Sequence, residues 1–152
     1  TITARKLMNR GKLTSKPNVG RLNMFFYDPK LKKTLPYYDT FPLVLPLEPI
    51  KGGFMGMNFH YLPYMLRFRM LERMQKFADG GLSGKTLMNV NYDGVKNIPI
   101  VKPTIKKYLY GHVRSNFLRI DFDEAALAVY LPVQQFKKAS ESQVWKESRG
   151  MI

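Results

Sequence analysis

Hydrophobic and aromatic residues recur along this chain in short runs, punctuated by Gly and Pro. Leu22 to Tyr27 reads Leu-Asn-Met-Phe-Phe-Tyr, an aromatic-rich run that predicts a strand. Asp28-Pro29 predicts a turn, because an Asp side chain folds back on the backbone and Pro presets the next angle. Lys30 to Lys33 then falls at the tip of a loop. Residues 37–47 are apolar but contain Pro42 and Pro46, which lack a backbone donor, so an edge strand or one leaving the sheet is expected. Gly52-Gly53 marks a turn, and Phe54 to Phe59 predicts another strand, with Gly56 signalling a bulge or a close backbone approach.

The helical period appears most clearly after Pro63, a residue tolerated at the first position of a helix. Leu66, Met70, Met74 and Phe77 form one stripe, widened by Leu71 and Ala78, with Arg67, Arg69, Arg73 and Lys76 on the other faces. Gly80-Gly81 ends this helix. Thr86 to Tyr92 reads as a strand, and a second helix is expected after Pro103, through Ile105, Leu109 and Val113. Phe117 to Phe122 and Ala126 to Val133 are strand-like, although residues 125–128 suit a helix equally. Strands and helices do not alternate regularly, which argues against a doubly wound parallel sheet. The expectation is an α+β fold, a small antiparallel SH3-like or partly open β-barrel with two inserted or packed helices. Its expected organisation is a basic extended arm over residues 1–20, one domain over 21–136, and a polar tail over 137–152 anchored by Trp145.

Charge changes this picture most. The 152 residues carry 25 Lys plus Arg against 11 Asp plus Glu, a formal net charge of +14. Arg5, Lys6, Arg10, Lys12, Lys16 and Arg21 all precede the first acid, Asp28. Such a segment repels itself and calls for a polyanionic or strongly acidic partner. The absence of cysteine excludes a disulfide framework and a Cys-based metal site. The N-terminal residues lack the apolar core of a secretory signal and the amphipathic stripe of a transit peptide. No apolar run approaches the ~20 residues that cross a bilayer.

Candidate chemistry is sparse. Gly81-Leu82-Ser83-Gly84-Lys85-Thr86 partly matches a phosphate-binding loop, but Asp79 stands where the first Gly belongs and a helix precedes instead of a strand. A flexible basic loop is the better reading. His60 and His112 stand outside any metal-binding frame, and nothing near either completes a nucleophile–base set. Local hydrogen bonding is expected for His60. Asp121, Asp123 and Glu124 form one acidic cluster that suits a divalent cation, as nucleases require, yet no further carboxylate joins it. A role as counter-charge for Arg119 and nearby lysines is favoured. Asp28, Asp39 and Asp93 read as turn formers.

The stronger signal is basic residues interleaved with aromatics. Phe25, Phe26, Tyr27, Tyr37 and Tyr38 flank Lys30, Lys32 and Lys33, while Tyr108 and Tyr110 flank Lys106 and Lys107. That combination suits a groove that tracks a phosphate backbone and offers stacking surfaces to exposed bases. Phe25, Tyr27 and Phe41 are expected in the core, with Tyr37, Tyr38 and Tyr108 open to either role. The expected polyanion contacts are Arg5, Lys6, Arg10, Lys12, Lys16, Lys30, Lys32, Lys33, Arg67, Arg73, Lys106 and Lys107.

The segments FFYDPKLKKTLPYYDTFPLVLPLE (25–48), GGFMGMNFHYLPYMLR (52–67) and VKPTIKKYLYGHVRSNFLRID (101–121), with LPVQQFKKAS and Val144-Trp145 beyond, resemble a small basic protein family of T4-like contractile-tailed bacteriophages. The resemblance covers most of residues 22–145 and is associated with virion or DNA-end-protecting proteins. It implies a virus-encoded, non-enzymatic particle protein and brings no catalytic residues. The leading expectation is therefore a structural component of a tailed-phage virion, in its tail, baseplate or neck, that contacts DNA or acidic virion proteins. A DNA-end or single-strand binder acting in packaging is the alternative, and a metal-dependent nuclease using Asp121, Asp123 and Glu124 is the third reading. The expected partners are other virion proteins and DNA bound without sequence preference, in several copies within a symmetric assembly. No cofactor, metal or membrane partner is expected.

Overall fold

The computed structural model describes residues 3–9, 11–78 and 84–149. Eight strands and five helices follow in the order α1 (Ala4–Met8), β1 (Lys12–Thr14), β2 (Leu22–Met24), β3 (Tyr38–Asp39), β4 (Leu43–Ile50), β5 (Gly53–Asn58), α2 (Tyr64–Ala78), α3 (Gly84–Val95), β6 (Ile105–Leu109), β7 (Phe117–Ile120), α4 (Phe122–Ala128), β8 (Phe136–Lys137) and α5 (Glu141–Arg149). Six strands form one antiparallel sheet in the order β1-β7-β2-β4-β5-β6, and β3 pairs with β8 in a separate ribbon.

The β4–β5 hairpin is the backbone of the sheet. Ile50 opposes Gly53 across a two-residue turn. Gly52 there has φ +76°, a conformation that only glycine adopts without strain. The ladder slips between Pro46 and Glu48, so the irregularity announced by Gly56 lies opposite it, on β4. Gly56 also permits a close approach, because a Cβ there would stand 2.3 Å from Val44 Cγ1. The prolines predicted an edge position for β4, yet it lies between β2 and β5. The β2 ladder reaches only Leu43 and Val44, so the missing donors of Pro46 and Pro49 fall past its end.

The sheet is strongly curved. Strand β7 is three ladder steps from β5, about 14 Å across a flat sheet. Nevertheless the rings of Phe54 and Phe117 stand 6.2 Å apart. Phe25, Tyr27, Val44, Phe54, Tyr108 and Phe117 fill the concave side as a small aromatic core. The larger core lies on the other side, where Leu43, Leu45, Leu47, Met57, Leu71, Met74, Val95 and Val129 pack together. Among the described residues no ladder joins β1 to β6, so the sheet is open and the fold is α+β with two free sheet edges.

Three expectations about elements are corrected. Residues 86–92, read as a strand, lie within α3, whose buried Met88, Asn91 and Val95 follow the helical period. The polar Asn91 in that stripe hides it from a hydrophobicity pattern. Residues 105–109, read as helix, form β6, paired with β5 from Ile105 to Leu109. Ala126 to Val133, read as strand-like, begins in α4, which settles residues 125–128 as helical.

The first residues also differ from an extended arm. Thr3 caps α1 by accepting from the Lys6 amide, and Ala4 and Met8 of that helix are buried. Strand β1 pairs with β7, Leu13 opposite Leu118. The fully buried Asn23 side chain accepts from the Asn18 amide at 2.8 Å and donates to the Asn18 carbonyl, closing the turn back into β2. A few apolar anchors and one buried amide thus fix a segment whose composition is basic and polar. Similarly, the C-terminal segment supplies α5, with Val144 buried and the Trp145 indole N–H donating to the His60 carbonyl at 2.9 Å.

Candidate nucleic-acid interface

The two basic, aromatic-rich stretches lie about 75 residues apart in sequence and meet at one surface pocket of ≈ 390 Å³. One wall comes from the loop between β2 and β3, with Lys30, Leu31, Leu35 and Tyr37; the other is β6, with Lys106, Lys107 and Tyr108. Tyr27 and Tyr61 complete the aromatic lining, and Asp39 and Asn58 lie at its base. The Tyr27 hydroxyl accepts from the Leu109 amide at 2.8 Å, fastening the β2 extension to β6. Tyr27 and Tyr108 pack edge to face at 5.0 Å, and Tyr37 lies 5.9 Å from Tyr61. Tyr108 and Tyr27 are buried, in line with a core role, whereas Tyr37 and Tyr38 are half-buried on the pocket side.

The pocket sets three lysines, Lys30, Lys106 and Lys107, against one carboxylate, the buried Asp39, which is engaged by His60. Lys106 lies over the Tyr61 ring, its Nζ 4.4 Å from the ring centre. Burial pushes the Lys106 ammonium below the ordinary lysine value. Among the described residues no carboxylate pairs with Lys30, Lys106 or Lys107. Burial likewise raises the hydroxyls of Tyr27, Tyr61 and Tyr108 above the usual phenol value, so all three stay neutral. Lys138, which the sequence reading left aside, holds the loop wall. It stands at φ +70°, unusual for a residue with a Cβ, and its ammonium donates to the carbonyls of Lys32, Lys33 and Leu35.

Below the pocket floor runs a buried polar cluster. The Asp39 carboxylate accepts from His60 Nδ1 at 2.7 Å, Asn58 Nδ2 at 3.0 Å and the amides of Phe41 and Gln135 at 3.0 Å each. Asp39 is thus the turn former that was expected, through its bond to Phe41, but it is also the anchor of this cluster. Burial opposes its charge, yet His60 and these donors outweigh that and hold it below the usual carboxylate value. Burial pushes His60 below the ordinary histidine value, against the pull of Asp39. Neutral His60 donates from Nδ1, which leaves buried Nε2 as an acceptor without a partner. This arrangement organises backbone around Asp39, which ties the Phe41 and Gln135 amides together.

The remaining predicted contacts are scattered. Arg5, Lys6 and Lys16 are exposed near β1, at the sheet edge opposite β6, and Arg10 lies outside the described residues. Lys12, Arg21 and Arg119 surround Asp121 at 3.0, 3.5 and 3.0 Å. Asp121 is held below the usual carboxylate value by its hydrogen bond from Lys12 and by Arg119. Asp121, Asp123 and Glu124 do lie close enough together to share an ion, but Asp121 already has three cationic partners. Lys32 pairs with Asp28 at 3.0 Å, Lys33 is exposed, and exposed Arg73 donates to the Gly94 carbonyl at 3.3 Å.

Arg67 is the clear correction. It is fully buried and cannot reach a polyanion. Its guanidinium donates to the carbonyls of Leu62 at 2.7 Å, Val129 at 3.0 Å and His60 at 3.2 Å. Tyr64 and Trp145 cover it at 4.5 and 5.4 Å. The buried face of α2 is therefore Arg67, Leu71 and Met74, one position round from the predicted stripe, and Leu66 and Met70 sit at its shoulder. The Phe77 side chain lies outside the described residues. His112 belongs to a short 3₁₀ turn and faces the Asp28 carbonyl at 3.0 Å. Of the phosphate-loop look-alike, Gly81 to Ser83 lie outside the described residues and Gly84 opens α3.

A curved, open antiparallel sheet with a tyrosine-lined, lysine-edged pocket defines a small basic α+β protein. The chain belongs to the family described as the phage T4 terminal DNA protecting protein, which matches residues 3–148. No curated protein matches the chain, and no solved structure matches it. No helix of the described residues is long and apolar enough to cross a membrane.

Proposed function

We propose that this protein binds the ends of linear phage DNA and shields them, without catalysis, as a component carried in the virion. Family membership puts the DNA-end reading ahead of a purely structural tail, baseplate or neck role. The single observation that carries the reading is the convergence of Lys30, Lys106 and Lys107 with tyrosines at one pocket, free of paired carboxylates among the described residues. Lysines there would neutralise phosphates, and the exposed lysines and arginines elsewhere would add sequence-independent attraction. The nuclease reading is weaker, since the cations around Asp121 already neutralise the acidic cluster.

The test is protection of a linear duplex against an exonuclease, alongside binding measured across a salt series. Engagement of about six phosphates gives a log–log slope near roughly −5. DNA that stays as sensitive to digestion with the protein as without it, or binding that ignores salt, overturns the reading. Release of nucleotides by the protein itself with Mg²⁺, lost on Asp121→Ala, would restore the nuclease.

A further inference from the structure

We infer that the pocket between the β2–β3 loop and β6 captures a single unpaired nucleotide at the end of a DNA strand. This rests on the DNA-binding reading above and gives it a reason to prefer ends. The pocket's ≈ 390 Å³ is near the lower bound of small-molecule sites, room for about one nucleotide rather than a stretch of duplex. Its walls are the faces and edges of tyrosines, with Tyr37 half-buried at the rim, which is the surface on which a base stacks without regard to its identity. Exposed Lys30 and Lys107 stand on opposite walls, and Lys106 is held above Tyr61, so cations surround the place where a stacked base would carry its phosphate.

A base inside a duplex can reach such a pocket only by leaving its stack and its partner. A terminal or unpaired nucleotide gives up far less, so the pocket discriminates by geometry alone. The Lys138 ammonium, by holding the carbonyls of residues 32, 33 and 35, keeps the loop wall in place before DNA arrives.

The experiment compares one short duplex in two forms: open, with a short single-stranded overhang, and closed at both ends by ethylene-glycol linkers that carry no base. Anisotropy titration of the full chain should show the open form bound roughly 5- to 100-fold more tightly, the range expected for one base–aromatic stack. Tyr37→Leu and Lys107→Ala, both at the rim, should bring the affinity of the open form down to that of the linker-closed form, and Lys107→Ala, which also removes a phosphate contact, should weaken the closed form as well. Lys16→Ala, at the far edge of the sheet, should weaken both forms equally. Equal binding of open and closed forms by the parent protein overturns the inference while leaving DNA binding intact. A preference for the open form that survives both rim variants also overturns it, because ends would then be read elsewhere. Failure to bind either form removes the DNA-binding reading, and this one with it.

Discussion

Replacing Arg67 by Met tests the most unexpected placement in the fold. The substitution keeps most of the aliphatic bulk and deletes every donor. The Leu62 and Val129 carbonyls then lose the donor that Arg67 gives them, whereas the His60 carbonyl keeps the Trp145 indole. Each buried carbonyl left unsatisfied costs about 1–3 kcal/mol, giving about 2–6 kcal/mol for the two. Loss of the guanidinium's contact with Tyr64 and Trp145 adds to this, while release of a desolvated charge acts in the opposite direction. Burial pushes the Arg67 guanidinium down to about 10, so it remains charged at neutral pH and the missing cation is a real change. Urea unfolding followed by circular dichroism reads the effect as a shift in midpoint at constant slope. A variant within about 0.5 kcal/mol of the parent, the ordinary result for a surface substitution, would refute the buried placement. DNA affinity of the folded variant should be unchanged, since Arg67 faces no solvent.

Four further outcomes are expected. Because His60 is held below its ordinary value, the unfolded chain binds more protons there, and stability should decline as pH falls below about 6.5; denaturant titrations at pH 7.5 and 5.0 should show this loss in the parent and less of it in His60→Gln. The lowered Asp39 adds a second loss only as pH falls through the acidic range below about 4, and a midpoint that falls no further between pH 5 and pH 3 would contradict it. Gly53→Ala would place a Cβ 1.9 Å from the Tyr108 carbonyl oxygen and should destabilise by more than about 2 kcal/mol, whereas Gly52→Ala meets nothing within 4 Å and costs only the positive φ, about 1–2 kcal/mol; thermal melts of the two should differ in that order. Met8→Ala should cost about 2–5 kcal/mol by chemical denaturation, and parent-like stability would mean that the N-terminal segment does not belong to the fold.

Sequence alone determined the features that arise locally. Glycine at the Gly52 turn, the proline before α2, the aromatic run entering β2 and the excess of positive charge each act within a few residues or over the whole surface. It also yielded the α+β class and the family resemblance, and it named the lysines that line the pocket and its tyrosines other than Tyr61. Tertiary structure decided which of these residues meet. A helix and a strand of short, mixed composition differ mainly in what they pack against, so α3 and β6 were read the wrong way round. Arg67 follows the same logic: helical spacing places it on the buried face, but three carbonyls, those of His60 and Leu62 just before the helix and that of distant Val129, make burial of a charge tolerable. The acid-free opening segment looks like a free arm until Leu118, Phe117 and Asn23 supply its partners. The pocket, finally, exists because curvature brings β6 to the extension of β2, and curvature is a property of the whole sheet rather than of any strand in it.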